Sequence, residues 1–195
     1  VRKKLYLRSI VISIGTILII SFFVRSQSTN ANNASIILNK AMVFMAQKDN
    51  LNAMIFLQEA NDEYSNTASG LDAAYYLGKI HFDRGDYDLS QSFLKEYTNK
   101  GSNKFLLGAS CKILADIYEK NNELEKAIKF QRLQLKYVNT KLDNAYANIN
   151  IALLSFKMGD VKSATTLIDQ IIKENSENFA IVQLAEQAKG QLLVK

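Results

Sequence analysis

The chain has 195 residues, with 24 Lys and Arg against 19 Asp and Glu, one histidine, one cysteine and neither proline nor tryptophan. A single cysteine excludes an internal disulfide framework, and a single histidine leaves His-based metal clusters and His-containing catalytic triads with at most one such member. Five basic and no acidic side chains fall in residues 1–33, beyond which the two signs balance at 19 each; the basic character belongs to the N-terminal segment and gives no argument for nucleic acid.

Residues 1–24 begin with Arg2, Lys3, Lys4 and Arg8 and continue as an apolar run that carries no charge for 16 residues, Ser9 to Val24. As a helix the run spans roughly 24 Å against a hydrocarbon core of about 30 Å, and counted from Leu5, with Arg8 reaching the headgroups, it approaches the full thickness. A membrane anchor over residues 5–24 and a signal peptide cleaved near Ser28 or Ala31 both fit; the length of the run and Arg25 directly after it favour the anchor. Basic residues before the run keep the N-terminus in the cytoplasm. The expectation is a single-pass inner-membrane protein with a periplasmic C-terminal domain or, after cleavage, a protein secreted to the periplasm. Residues 25–33 are small and polar, which predicts a flexible tether.

From Ala34 a pattern recurs with a step of 37 residues. A small residue falls at Ala41, Gly78, Ala115 and Ala152, and a second, twelve positions on, at Ala53, Ser90, Ala127 and Ala164. Small residues at this spacing let two antiparallel helices approach closely while large ones fill the seam. The seam residues are Leu77, Leu114 and Ile151 on first helices and Leu57, Leu94 and Ile168 on second helices, with Lys40 and Gln131 as exceptions. A turn carboxylate keeps the same step at Asp49, Asp86, Glu123 and Asp160, placed to cap the second helix, and Lys48, Gly85, Asn122 and Gly159 precede it.

The second unit, LDAAYYLGKIHFDRGDYDLSQSFLKEYT, with Leu77, Gly78, Gly85, Asp86, Tyr87, Ser90 and Leu94, resembles the tetratricopeptide repeat (TPR). His81 stands where that family usually has Tyr, and Tyr97 where it usually has Ala. The resemblance implies an all-α, right-handed TPR solenoid of four helix-turn-helix repeats plus a C-terminal capping helix, behind an N-terminal transmembrane or signal helix. Its segments are a signal-anchor or signal peptide at 1–24, the tether at 25–33, four units over 34–178 (34–70, 71–107, 108–144, 145–178) and the capping helix at 179–195. The last segment is amphipathic through Ile181, Leu184, Ala185, Ala188, Leu192 and Leu193, as a cap for the end of a stack requires.

No catalytic constellation, metal cluster, phosphate-cradling glycine motif or CxxC stands out, so no enzyme activity, metal or cofactor is expected. His81 reads as a core aromatic and Cys111 as a small core hydrophobe. What remains is binding surface. In the TPR family first helices line a concave groove, and the resemblance carries its positions onto Met42 and Met45, then Tyr75, Lys79 and Phe82, then Lys112, Asp116 and Glu119, then Tyr146, Ile149, Leu153 and Phe156. Aromatic rings among a few charges suit a peptide or helix of a partner protein. The expected function is a non-enzymatic protein-interaction scaffold at the bacterial envelope. The alternatives are a structural subunit of a large envelope assembly, secretory or flagellar, and an accessory helical part of a cell-wall enzyme. The layout of one membrane segment before a short TPR array is similar to the ancillary translocon subunit family.

Overall fold

The computed structural model describes the backbone of residues 2–193 and their side chains except those of 2–15, 17, 18 and 23. Most side chains of the expected anchor or signal segment, 1–24, thus lie outside the described residues, as do Val194 and Lys195. Regular structure among the described residues is entirely α-helical. The chain divides into two compact units, Val1–Ala73 and Ala74–Lys195.

In the first unit, α1 (Arg2–Ala46) runs without interruption through residues 25–33, which are therefore helical and not the flexible tether that their composition suggests. Propagation from helical flanks needs no new nucleus, so a weakly helical polar stretch can continue the ladder. Thr29 Oγ1 also donates to the Arg25 carbonyl at 3.0 Å. Among the described residues no helix is long and apolar enough to cross a membrane. The last turns of α1 pack on α2 (Asn50–Tyr64), burying Ala34, Ile37 and Ala41 with Ala53, Leu57 and Ala60. α3 (Ala68–Arg84) then begins so close to the end of α2 that a Cβ on Gly70 would lie 2.0 Å from the Tyr64 carbonyl oxygen.

The second unit holds the rest of α3, then α4 (Tyr87–Lys100), α5 (Lys104–Lys120), α6 (Leu124–Gln134), α7 (Lys141–Lys157), α8 (Val161–Glu174) and α9 (Phe179–Leu193). From α4 onward each helix packs on the next, and α9 packs on both α7 and α8. Ile181, Ala185, Ala188 and Leu192 of α9 share one core cluster with Ile149, Ala152, Ala164 and Ile168. Lys189 of α9 pairs with Asp169 of α8 at 2.8 Å.

All eight small positions of the 37-residue pattern are buried. A Cβ on Gly78 would stand 2.6 Å from Leu94 Cγ and 3.3 Å from the Ser90 carbonyl oxygen, the close approach inferred from the small residues. The exceptions behave differently from each other. Lys40 is exposed and sets its ammonium 5.8 Å from the Phe56 ring centre, whereas Gln131 is buried with its Oε1 lacking a hydrogen-bond partner.

The four turns have one backbone geometry. Lys48, Gly85, Asn122 and Gly159 all have positive φ, at 61°, 85°, 59° and 88°. The amide that follows each donates back to the carbonyl of Phe44, His81, Tyr118 or Ser155, five residues earlier, at 2.8–3.0 Å. This bond satisfies one of the carbonyls a helix end leaves open. The carboxylates divide. Asp49 and Asp160 accept from the amides of Asn52 and Ser163 at 3.1 and 3.0 Å, but Asp86 and Glu123 occupy the cap position without a side-chain cap bond. Asp86 turns instead to His81 Nδ1 at 3.2 Å and Arg84 Nε at 3.4 Å, and Glu123 to Lys126.

A second regularity ties the hairpins. Phe44 stacks on Phe56, His81 on Phe93 and Tyr118 on Phe130, with centroids 5.3–5.7 Å apart and planes within 18°. Each pair joins a first helix to its second helix at the same 37-residue step; Ser155 and Leu167 hold these places in the last repeat.

Candidate partner-binding groove

The first helices of the second unit, α5 and α7 with residues 74–84 of α3, carry ten of the twelve expected groove residues. Met42 and Met45 are partly buried on α1, in the other unit.

The positions expected to line the groove do not share one environment. Tyr75 is 6 % exposed, packed at 5.0 Å from the Tyr76 ring and 5.9 Å from Tyr97, and burial pushes its phenol upward. Ile149 is equally buried, within the core cluster of α7, α8 and α9. Lys112, at the same register between them, is exposed. Tyr75 and Ile149 therefore support the floor from beneath. Lys79 is held by Asp83 at 2.6 Å, and Phe82 leans on Tyr87 with ring centres 5.7 Å apart. Leu153 and Phe156 are half-buried against the α7–α9 core, while Tyr146 is 45 % exposed.

Four cavities open along this face and share walls. One of about 430 Å³ is bounded by Phe82, Asp116, Glu119, Lys120 and Lys157. Glu119 and Lys157 also wall the next, about 270 Å³, with Asn150, Leu153, Phe156 and Gln191 of α9. Asn150 leads to a third of about 230 Å³ with Lys112, Gln134, Asp143 and Tyr146. Lys112, Gln134 and Asp143 lead to the fourth, about 390 Å³, among the ends of α5, α6 and α7. Phe82, Lys112, Asp116, Glu119, Tyr146, Leu153 and Phe156 thus each wall at least one of these cavities, which are linked by shared lining residues.

Its charges are mixed. Lys157 pairs with Glu119 across 38 residues of chain and so bridges successive repeats. Burial pushes the Asp116 carboxyl up from its ordinary value, with Glu119 adding to the shift and Lys112 and Lys120 opposing it. Lys120, Asn150, Lys157 and Gln191 were not among the expected lining. Lys120 and Lys157 are one 37-residue step apart and directly follow Glu119 and Phe156, so widening the register by one position would have found them.

His81 and Cys111 lie inside the packing. His81 is 8 % exposed on Phe93, and burial pushes the Cys111 thiol up to about 12, so it holds its proton and stays a poor nucleophile. Among the described residues no group of three or more His, Cys, Asp or Glu side chains is placed to hold a metal ion.

Residues 110–137, spanning most of α5 and α6, match the tetratricopeptide repeat family. The chain is 30 % identical over 119 residues to the TPR repeat-containing protein MJ1428 of Methanocaldococcus jannaschii, a match that takes in 61 % of this chain but 20 % of that protein's length. In fold it is similar to crystal structures of nearly identical TPR-like repeats from a kinesin-light-chain protein of Podosopora anserina. One aligns at a TM-score of 0.60 with 15 % identity over 83 % of this chain and 88 % of the other. Its companion aligns at 0.60 with 14 % identity over 83 % and 89 %. Motif, sequence match and helical architecture agree on an all-helical, TPR-like repeat protein.

Proposed function

We propose that this protein is a non-enzymatic interaction scaffold that binds a peptide or helix of a partner protein along the groove of α5 and α7. The set of cavities that share lining residues, with rings at Phe82, Phe156 and Tyr146 and charges between them, carries this reading. Protein binding is the general use of TPR folds. Half-buried rings give contact area at low entropy cost, and interleaved charges of both signs select the partner's register more than they add affinity.

The site of action we infer is a membrane of the bacterial envelope, with residues 5–24 as the anchor and the repeats on the periplasmic side. The uncharged run from Ser9 to Val24 behind four basic residues supports this, as do Ile19, Ile20, Phe22 and Val24, each at least 59 % exposed. A helix apolar on every side calls for an apolar surround. The layout is similar to ancillary translocon subunits.

Site-specific photo-cross-linking in cells tests the groove. A cross-linker replacing Phe82 or Tyr146 is expected to capture one recurrent partner, and one replacing the exposed Lys129 of α6 is not. Equal capture from Lys129 would remove the groove from consideration. For the anchor, resistance of the full chain to alkaline extraction from membranes is expected, and release by that treatment would refute it.

A further inference from the structure

We propose that the cavity among the start of α5, the end of α6 and the start of α7 receives an aromatic side chain of the bound partner, with Gln134 bonding the peptide backbone beside it. The inference rests on the groove reading above and adds what the partner must carry.

The cavity measures about 390 Å³, within the range of roughly 300–1,000 Å³ typical of sites that enclose small organic groups. Phe105, Tyr137 and Val138 supply apolar walls, and Gly108 and Ala109 carry too little side chain to fill the space. The room at Gly108 is limited, since a Cβ there would lie 3.3 Å from Tyr137 Cβ. Phe105 is 78 % exposed at the edge, a ring offered for stacking.

The polar groups narrow the guest further. Gln134 is 9 % exposed, lines both this cavity and the adjoining one, and has a buried Oε1 with no hydrogen-bond partner. A buried amide oxygen without a partner is costly, and a peptide N–H is the donor that Oε1 lacks. Lys112 and Asp143 also wall both cavities, yet form no ion pair with each other among the described residues. Asp143 is engaged at the start of α7, its carboxylate accepting from Thr140 Oγ1 at 2.6 Å and its amide donating to that oxygen at 3.0 Å. An anionic guest would meet this carboxylate and a cationic one the Lys112 ammonium. A neutral ring meets neither penalty, and its face can accept Lys112.

Because the chain contains no tryptophan, the fluorescence of N-acetyl-tryptophanamide reports the probe alone. With the detergent-solubilised full chain, its polarisation is expected to rise saturably and to be competed by N-acetyl-phenylalaninamide but not by N-acetyl-alaninamide. Ala109→Leu, which fills the space, and Gln134→Leu, which removes the amide, should each weaken binding at least fivefold, while Lys129→Ala, at an exposed position of α6 outside the cavity, leaves it unchanged. Circular dichroism confirms that each variant is folded. Absence of saturable binding, or binding indifferent to both Ala109→Leu and Gln134→Leu, overturns the proposal. If cross-linking from Phe82 still captures a partner in that case, the cavity assignment fails and the groove reading stands; probe binding without groove capture refutes the groove and leaves an aromatic-binding cavity.

Discussion

Replacing residues at the four positive-φ positions should change stability with opposite signs, according to which residue already stands there. Gly85 and Gly159 sit at φ of 85° and 88°, and a Cβ added to either would meet nothing within 4 Å. The cost of Gly85→Ala is therefore conformational alone. Forcing an L-residue into the left-handed region costs about 1–2 kcal/mol, offset by about 0.4–1 kcal/mol from the stiffer unfolded chain, which leaves a net loss of up to about 1.6 kcal/mol. At Lys48, an exposed side chain at φ of 61°, the same terms reverse, and Lys48→Gly should stabilise by a similar or smaller amount. Asn122→Gly should lie near zero, because Asn enters the left-handed region more readily than other non-glycine residues.

Urea unfolding followed by helical circular dichroism measures these differences. With a slope of about 1–3 kcal/mol per molar urea, a change of about 1 kcal/mol moves the midpoint by about 0.3–1 M, well within resolution. The slope itself should stay constant, since no surface is gained or lost. If Gly85→Ala and Lys48→Gly shift the midpoint in the same direction, the shared turn geometry is wrong and with it the alignment of the four repeats.

Other perturbations probe the packing and the groove. Gly78→Ala drives a methyl to 2.6 Å from Leu94 Cγ and should destabilise by about 1–3 kcal/mol, whereas in a Leu94→Ala background, itself destabilised by the truncated core residue, the added cost of Gly78→Ala should largely vanish if the clash is the cause; a double-mutant cycle in urea checks this. The Asp116 carboxyl is raised above 3.8, so the folded state binds its proton more tightly than the unfolded chain, and stability falls as pH rises from 3.8 through the raised value. Asp116→Asn should therefore raise the thermal midpoint at pH 7, with the gain shrinking toward pH 3.8; a gain independent of pH would refute the charge argument. Cys111, fully buried with its thiol at about 12, should resist an aromatic disulfide reagent at pH 8 in the folded protein and react at once in denaturant, as absorbance of the released thiolate will show.

The hairpin pattern was legible because it depends on side-chain size at fixed spacing, which residue identity states directly. Gly78, Ser90 and their six counterparts are buried where the register puts them. The turn at Lys48 was legible only through that register, since nothing about lysine favours a positive φ. The ring pairs were not legible because stacking depends on how each ring is turned, which residue identity and spacing do not state. Residues 25–33 misled for a different reason: composition reports intrinsic preference, whereas a helix already formed on either side extends across a poor stretch. Groove register states a position along each first helix but not its depth. In the column of Tyr75, Lys112 and Ile149 the two apolar members are drawn inward and the lysine turns out, a partition that follows from burial preference at one shared backbone position.

This partition bears on how such a chain can specialise. The 37-residue step is held by backbone features, the positive-φ residue and the returning amide, that recur even where the residues are Lys, Gly, Asn and Gly. Stability in a repeat array resides mainly within units and between nearest neighbours, so the outward columns carry little of it. One exception is the column of Phe82, Glu119 and Phe156, where Glu119 is engaged by Lys157 of the following repeat and serves the stack as well as the groove. A partner that engages Glu119 must compete with Lys157, whereas one that engages Lys112 or Tyr146 displaces no ion pair among the described residues. Binding energy is therefore more readily gained toward the α5–α7 end cavity than over the Glu119–Lys157 bridge, and substitutions at Lys112 and Tyr146 should change partner affinity with less cost to folding than substitutions at Glu119.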